Sequence, residues 1–217
     1  MFNIKLGIAL MMGLVIFTHN LFAAVGCDLN EPDRDVKRIF PQSTNYKTYY
    51  LSLKKSGGEP LLKKVEAKLG DSFSGLYENI DVPYTLYEIY QKDQKIGYIH
   101  GVNQKSEFGG IQVFLALDLS GKIQQFYLQK IASKKGQLFR KVEFAKQFYG
   151  LTSADFDQYD VQQKKAAPKN AIAKITIPED MQKDLHAILR GVKKNLVLMD
   201  IFVYKQEKPF SEKEKNI

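Results

Sequence analysis

The stretch that decides the fold covers residues 84–131, with the sequence YTLYEIYQKDQKIGYIHGVNQKSEFGGIQVFLALDLSGKIQQFYLQKI. Four runs rich in β-branched and aromatic residues follow one another in it, and the first run alternates with a period of two. Residues 92–95 and the Ser120-Gly121 pair are turn signals between consecutive runs, whereas residues 101–108 are expected to form a flexible loop. The pattern predicts a four-strand antiparallel meander.

Helical patterns lie on both sides of this meander. Before it, Pro60 is expected to open a helix that stops at Gly70. After it, apolar residues at helical spacing predict one helix over residues 138–148 and a stronger one that begins at Glu179. Because strands and helices occupy separate runs of the chain, we predict an α+β fold in which helices pack on one face of an antiparallel sheet.

The remaining segments have weaker patterns. Residues 46–53 are β-prone, and the polar residues 152–169 are expected to form an irregular connector. Residues 197–204 are apolar and β-branched, so they are expected to leave the last helix as a final strand.

The N-terminus has the parts of a secretory signal peptide. Lys5 precedes an apolar run at residues 6–17, which is too short for a permanent transmembrane helix, and small residues precede Cys27. The sequence Ala24-Val25-Gly26-Cys27 also resembles a bacterial lipobox, in which the cysteine carries lipid on its sulfur. We therefore expect residues 1–26 to be a signal peptide and Cys27 to be lipidated. The alternative is ordinary cleavage after Ala23 or Ala24, which would leave Cys27 as a free thiol near a frayed end.

The mature chain is expected to form one domain. Residues 27–45 are short and charged and are predicted to be a tether, residues 46–204 form the domain, and the charged residues 205–217 are predicted to be disordered. The net charge of +8 favours anionic membrane surfaces or acidic partners. Because no nucleic-acid-binding motif accompanies this charge, nucleic acid is not expected as a partner.

The sequence contains no recognised catalytic constellation. A nucleophile elbow, a zinc-binding His-Glu-x-x-His motif, a phosphate loop and a cysteine pair are all missing from it. His100 and His186 are expected to be solvated or locally hydrogen-bonded, since metal sites usually require several convergent donors. We assign no catalytic residue.

Several short motifs occur in the order found in one family of flavoproteins. They are Tyr87-Glu-Ile-Tyr90, Gly97-Tyr98, Gly109-Gly110, the run at residues 113–118, Gly121-Lys122-Ile123 and Phe144-Ala-Lys-Gln-Phe148. Together they cover about residues 84–202, and this stretch resembles the FMN-binding domain family. That domain occurs in the flavoprotein subunits of ion-pumping NADH:quinone and NADH:ferredoxin oxidoreductases. The resemblance implies an FMN-binding-domain-like fold.

The flavin-attachment motif of that family is degenerate in this chain. The family pattern is Asp-x-x-Ser-Gly-Ala-Thr, and the corresponding residues 170–176 are Asn-Ala-Ile-Ala-Lys-Ile-Thr, which keep only Thr176. Without the glycine, close backbone approach to a phosphate is hindered, so FMN is expected to bind non-covalently. The resemblance implies cofactor contacts from residues in the glycine loop, the attachment motif and one strand: Tyr98, Gly109, Gly110 and Thr176. Lys174, which departs from the motif, is expected to attract the phosphate as a point charge. In a purely structural alternative, residues 171–177 are only a strand that leads into the last helix.

These observations predict an exported, lipid-anchored protein on the periplasmic side of the cell envelope. It would hold FMN non-covalently near the membrane surface for electron transport. The competing interpretation is a non-enzymatic envelope lipoprotein that has lost the flavin and binds a protein partner.

Overall fold

The computed structural model describes residues 26–205 of the 217-residue chain. The predicted signal peptide, residues 1–26, lies outside the described residues except for Gly26. The predicted charged tail, residues 205–217, lies outside them except for Lys205. Within residues 26–205, no helix combines the length and apolar character that crossing a bilayer requires.

The centre of the fold is an antiparallel sheet with the strand order β1-β2-β3-β4-β5. In chain order the strands are β1 (Asn45–Leu51), β2 (Tyr84–Gln91), β3 (Gln94–Ser106), β4 (Gly109–Leu117) and β5 (Ile123–Lys130). The predicted four-strand meander is confirmed as β2 to β5, and the β-prone segment after residue 45 adds a fifth strand beside β2. The α+β class is confirmed.

The predicted loop at residues 101–108 is wrong, because β3 continues to Ser106 and only Glu107 and Phe108 turn the chain into β4. Gly101 lies opposite Phe114 in the ladder, and a Cβ atom at Gly101 would lie 2.3 Å from the Phe114 ring. This glycine therefore makes room for a cross-strand aromatic ring and does not mark a mobile loop.

Helices and a small hairpin complete the fold. The helices are α1 (Pro32–Ile39), α2 (Leu53–Ser56), α3 (Gly58–Leu69), α4 (Val142–Lys146), α5 (Ser153–Asp157) and α6 (Gln182–Met199). Short 3-10 helices cover Gly136–Arg140, Ala171–Lys174 and Glu179–Met181, and the hairpin consists of β6 (Tyr159–Asp160) and β7 (Lys165–Ala166).

Local signals placed the α3 and α6 helices well, but they failed in four other segments. The helix predicted over residues 138–148 is broken at Lys141, whose backbone is extended. The irregular connector contains α5 and the β6–β7 hairpin, and residues 171–174 are helical rather than a strand. The strand predicted at residues 197–204 is also wrong, because α6 continues into a π-helical turn at Asp200–Tyr204.

Burial explains why this last segment stays helical. Leu198, Met199 and Phe202 are all fully buried, and the Tyr204 hydroxyl donates a hydrogen bond to the Asp118 carbonyl oxygen over 2.8 Å. These contacts hold the segment across the sheet in a way that β propensity alone does not predict.

Each face of the sheet has its own core. On one face, α6 packs across β3 and β4 and α3 packs beside it, which encloses the first core around Leu86, Val102 and Leu115. On the other face, Ile89 and Ile99 belong to a second core. Helices therefore pack on both faces, and the prediction that they pack on one face only is wrong.

The second core is covered by the segment predicted to be a tether. Cys27, Leu29 and the apolar side of α1 pack there, and the Leu29 amide donates a hydrogen bond to the Tyr87 hydroxyl over 3.1 Å. The α1 helix begins at Pro32, carries acidic residues in its first turn and buries Val36 and Ile39. Residues 27–40 thus belong to the folded domain.

Candidate functional site

A cleft of about 1110 Å³ opens where four segments meet, and we call it the α6 cleft. Its walls come from residues 72–78, the β3–β4 hairpin, the β6–β7 hairpin and one side of α6. Ligand sites commonly occupy roughly 300–1,000 Å³, so this space is large enough for a small-molecule ligand.

The base of the α6 cleft is an ion network centred on Arg190. Its guanidinium donates hydrogen bonds of 2.8 Å to Asp71 and of 2.8 Å to Gln104. It also donates hydrogen bonds to both carboxylate oxygens of Glu78. The fully buried Lys194 donates to the same Glu78 over 2.7 Å. This network ties residues 71–78 to α6 and leaves Arg190 with little capacity for a ligand.

The pKa values of the network follow from its burial and its charges. Burial would raise the pKa of Glu78, but the hydrogen bond from Arg190 and the charges of Lys194 and Arg190 hold it below its ordinary value. Burial lowers the pKa of Lys194 to about 8, although Glu78 opposes this shift. Glu78 is therefore a stable carboxylate that neutralises the cations beneath the cleft.

Lys164 and His186 also line the cleft, Lys164 from the β6–β7 hairpin and His186 from α6, one helical turn before Arg190. Lys164 has a positive φ of 58°, which costs a residue with a Cβ atom about 1 kcal/mol. The His186 Nδ1 atom lies 3.2 Å from the Tyr159 hydroxyl. Burial lowers the pKa of His186, and the positive charge of Lys164 lowers it further. The Lys164 charge therefore disfavours the protonated form of His186.

The α6 cleft has an excess of positive charge. Its two carboxylates already have partners, since Glu78 binds Arg190 and Lys194 while Glu107 lies 2.8 Å from the Lys183 ammonium. Lys105 and Lys164 also line the cleft, and neither forms an ion pair with any residue in the described part of the chain. This charge distribution favours an anionic ligand.

An apolar wall stands beside these cations. Tyr77 is half-buried in the cleft, and Leu76 at the rim has 53% of its surface exposed. A Cβ atom at Gly110 would lie 2.8 Å from the Tyr77 hydroxyl, so the glycine allows the tyrosine to approach the β3–β4 hairpin. The wall can contact a flat, apolar ring.

The cofactor residues predicted from the sequence do not form one site. Gly109 lines the α6 cleft and Gly110 contacts Tyr77. Thr176 lines a separate depression, where its amide donates to the Gln147 side-chain oxygen over 2.9 Å. Lys174 is exposed on a 3-10 helix and does not line the cleft.

Tyr98 also lies away from the cleft. It pairs with Leu117 in the ladder, eight residues along β3 from the end at Ser106, which corresponds to roughly 27 Å. Its ring is 8% exposed and packs edge-on against Tyr204, with 5.9 Å between the ring centroids. It is therefore part of the first core and not a stacking surface for a ligand in this cleft.

The predicted lipidation residue, Cys27, is buried in the second core with 2% of its surface exposed. Burial raises the pKa of its thiol well above the ordinary value. The adjacent Gly26 carbonyl accepts a hydrogen bond from the Asn103 side chain over 2.7 Å. The described conformation therefore does not present this sulfur to lipid.

His100 also differs from expectation, because it is completely buried in the middle of β3 and not solvated at a strand end. Its Nδ1 atom lies 2.9 Å from the Asn195 side-chain oxygen on α6. Within residues 26–205, no cluster of three or more histidine, cysteine or carboxylate side chains is arranged to hold a metal ion.

Sequence reasoning did not identify the residues that give the α6 cleft its character, which are Tyr77, Lys105, Lys164, Lys183 and Arg190. One signal was available, because Lys183, His186 and Arg190 follow one another at helical spacing and so share one side of α6. No comparable local pattern marks Lys164, which lies in a polar stretch.

No protein-family model matches this chain, and no curated protein matches it either. The chemistry of the cleft is therefore the basis for a functional interpretation.

Proposed function

We propose that this protein is an exported, envelope-located binding protein that holds FMN non-covalently in the α6 cleft for electron transfer. The observation that carries the proposal is the pairing of excess positive charge with the apolar wall at Tyr77. FMN has a flat ring system and an anionic phosphate, so it matches both halves of this surface. When bound, the flavin would supply the redox chemistry.

The chain's own residues would bind and orient the ligand. Tyr77 and Leu76 would contact the ring, while Lys105, Lys164 and His186 would attract the anionic end. The Arg190 network would keep residues 71–78 in place, since its guanidinium is already fully engaged by protein groups. Pre-organised walls reduce the ordering cost of binding.

Reversible binding is supported by the position of Thr176. It lies in a depression separate from the α6 cleft, and its neighbours include Gln147 and Pro178. A ligand in the cleft would not be esterified to a residue that lines another part of the surface.

The contacts of residues 26–30 help to distinguish lipidation of Cys27 from ordinary signal-peptide cleavage. Gly26, Leu29 and Asn30 all form hydrogen bonds to the sheet, and Cys27 is packed between them. A lipid on the sulfur would require this segment to leave the second core. We therefore propose the ordinary-cleavage alternative, in which the signal peptide is cut after Ala23 or Ala24 and Cys27 stays unmodified.

Titration of the purified mature protein with FMN, followed by quenching of flavin fluorescence, tests the function. We expect saturable binding of one FMN per chain, and complete release of the flavin when the protein is denatured. Flavin that stays with the denatured chain would contradict the non-covalent mode.

Failure to bind FMN at high micromolar concentration would remove the proposed function. The competing interpretation, an envelope protein that binds a protein partner, would then be preferred.

A further inference from the structure

We propose that Lys164 and His186 form a phosphate site, so that the α6 cleft selects phosphate monoesters over otherwise identical unphosphorylated molecules. The inference rests on the proposed function in that it concerns the same cleft, but it names a ligand class that does not depend on a flavin. In this site the phosphate contacts Lys164 and His186, and not Lys174 and Thr176 of the degenerate attachment motif.

The cations of the cleft differ in whether a carboxylate already neutralises them. Arg190 is held by Asp71, Glu78 and Gln104, and Lys183 is held by Glu107. Lys164 has no carboxylate partner among residues 26–205, although it lines the cleft.

The backbone around Lys164 holds this residue in place. Its left-handed backbone lies at the end of a turn that is held by a 2.8 Å hydrogen bond from the Gln163 amide to Asp160. The turn joins β6 to β7 and fixes the lysine opposite α6. Non-glycine residues in this conformation are uncommon and concentrate at functional sites, where they aim a side chain.

His186 has a hydrogen-bonding partner that can set its orientation. The Tyr159 hydroxyl lies 3.2 Å from the His186 Nδ1 atom, and burial raises its pKa so that it keeps its proton; in the proposed site it donates that hydrogen to Nδ1. With Nδ1 as acceptor, the imidazole carries its own proton on Nε2 and can donate it to an anion. Lys164 lines the same cleft and adds an ammonium donor. A phosphate dianion could accept hydrogen bonds from both the ammonium and the Nε2–H group, and no covalent bond changes in this binding step.

Isothermal titration of the mature protein with FMN, riboflavin and phenyl phosphate tests the inference. For the wild type we expect FMN to bind at least about tenfold more tightly than riboflavin, because charge-assisted hydrogen bonds contribute to phosphate binding. Lys164→Gln should remove most of this preference and leave riboflavin affinity unchanged. His186→Gln should also reduce the preference for FMN over riboflavin.

Lys165→Gln is the matched control, since Lys165 is the exposed neighbouring residue and does not line the cleft. It should bind all three molecules as the wild type does. Thermal unfolding of each variant should match the wild type within a few degrees, which excludes loss of fold as the cause.

The results separate the two proposals. If FMN and riboflavin bind equally and Lys164→Gln changes neither affinity, the phosphate site is refuted while FMN binding stands. If phenyl phosphate binds in a Lys164-dependent way and FMN does not bind, the phosphate site stands and the proposed function fails. If none of the three molecules binds, both proposals fail.

Discussion

Acidification from pH 7 to pH 5 should destabilise this protein through His100. The imidazole is completely buried beneath α6, its Nδ1 atom contacts Asn195, and its Nε2 atom has no partner in the described part of the chain. Burial lowers the pKa of His100 from its ordinary value of 6.5 to about 4, and the charge of Lys194 adds to this shift while the Asn195 hydrogen bond opposes it.

The sign and size of the effect follow from proton linkage. Below pH 6.5 the unfolded chain binds a proton at His100, whereas the native protein keeps the ring neutral until the pH approaches 4. Stability is therefore complete above pH 6.5 and falls as the pH decreases through this window. Between pH 7 and pH 5 the loss from this residue is about 2 kcal/mol.

Urea unfolding of the wild type and of His100→Gln at both pH values measures this contribution. The variant should have a lower free energy of unfolding at both pH values, because the substitution disturbs a packed site. The decrease in that free energy between pH 7 and pH 5 should, however, be smaller by about 2 kcal/mol than in the wild type. His186→Gln is the control, since that histidine is only half-buried and should carry less of the pH dependence. Equal pH dependence in the wild type and His100→Gln would show that His100 is not the source of the acid destabilisation.

The remaining predictions concern the cleft, the N-terminus and the core. Lys164→Gly should raise stability by up to about 1 kcal/mol in urea unfolding, because glycine accepts the positive φ, while it should lose the preference for FMN over riboflavin. A decrease in stability would show that the backbone is not strained there. Mass spectrometry of the mature N-terminus should find an unmodified Cys27 that thiol reagents label only after unfolding, because its sulfur is buried. A lipid mass on that residue would overturn the cleavage proposal. Leu115→Lys should destabilise the protein by about 3 kcal/mol or more, since it places a charge in the first core. Unfolding like that of the wild type would contradict the core assignment.

The sequence determined the elements whose signals are local. The alternation in β2 and the Ser120-Gly121 turn sufficed for the meander, because pleat periodicity and turn chemistry act over a few residues. Gly70 likewise ended α3 through its left-handed backbone. The class of the fold followed from the order of these elements along the chain.

The continuation of β3 past Gly101 was decided by tertiary contacts. Its residues Asn103 and Gln104 are polar, so no apolar alternation marks them as a strand. They are buried beneath α6, where two of its cations donate hydrogen bonds to them. Arg190 donates to the Gln104 side chain, and Lys194 donates to the Asn103 carbonyl oxygen. The second core likewise depends on an N-terminal segment whose charged sequence resembles a tether.

The candidate site was decided almost entirely by the tertiary structure. Tyr77, Lys164 and His186 come from segments far apart in the chain, and only packing around α6 places them in one cleft. Composition gives the net charge, but it cannot show which cations are neutralised by a neighbouring carboxylate. Arg190 and Lys164 are both basic in the sequence; the fold surrounds one with Asp71 and Glu78 and leaves the other facing the cleft without an ion-pair partner among residues 26–205. Electrostatic attraction depends on distance and burial, and these exist only in the folded chain.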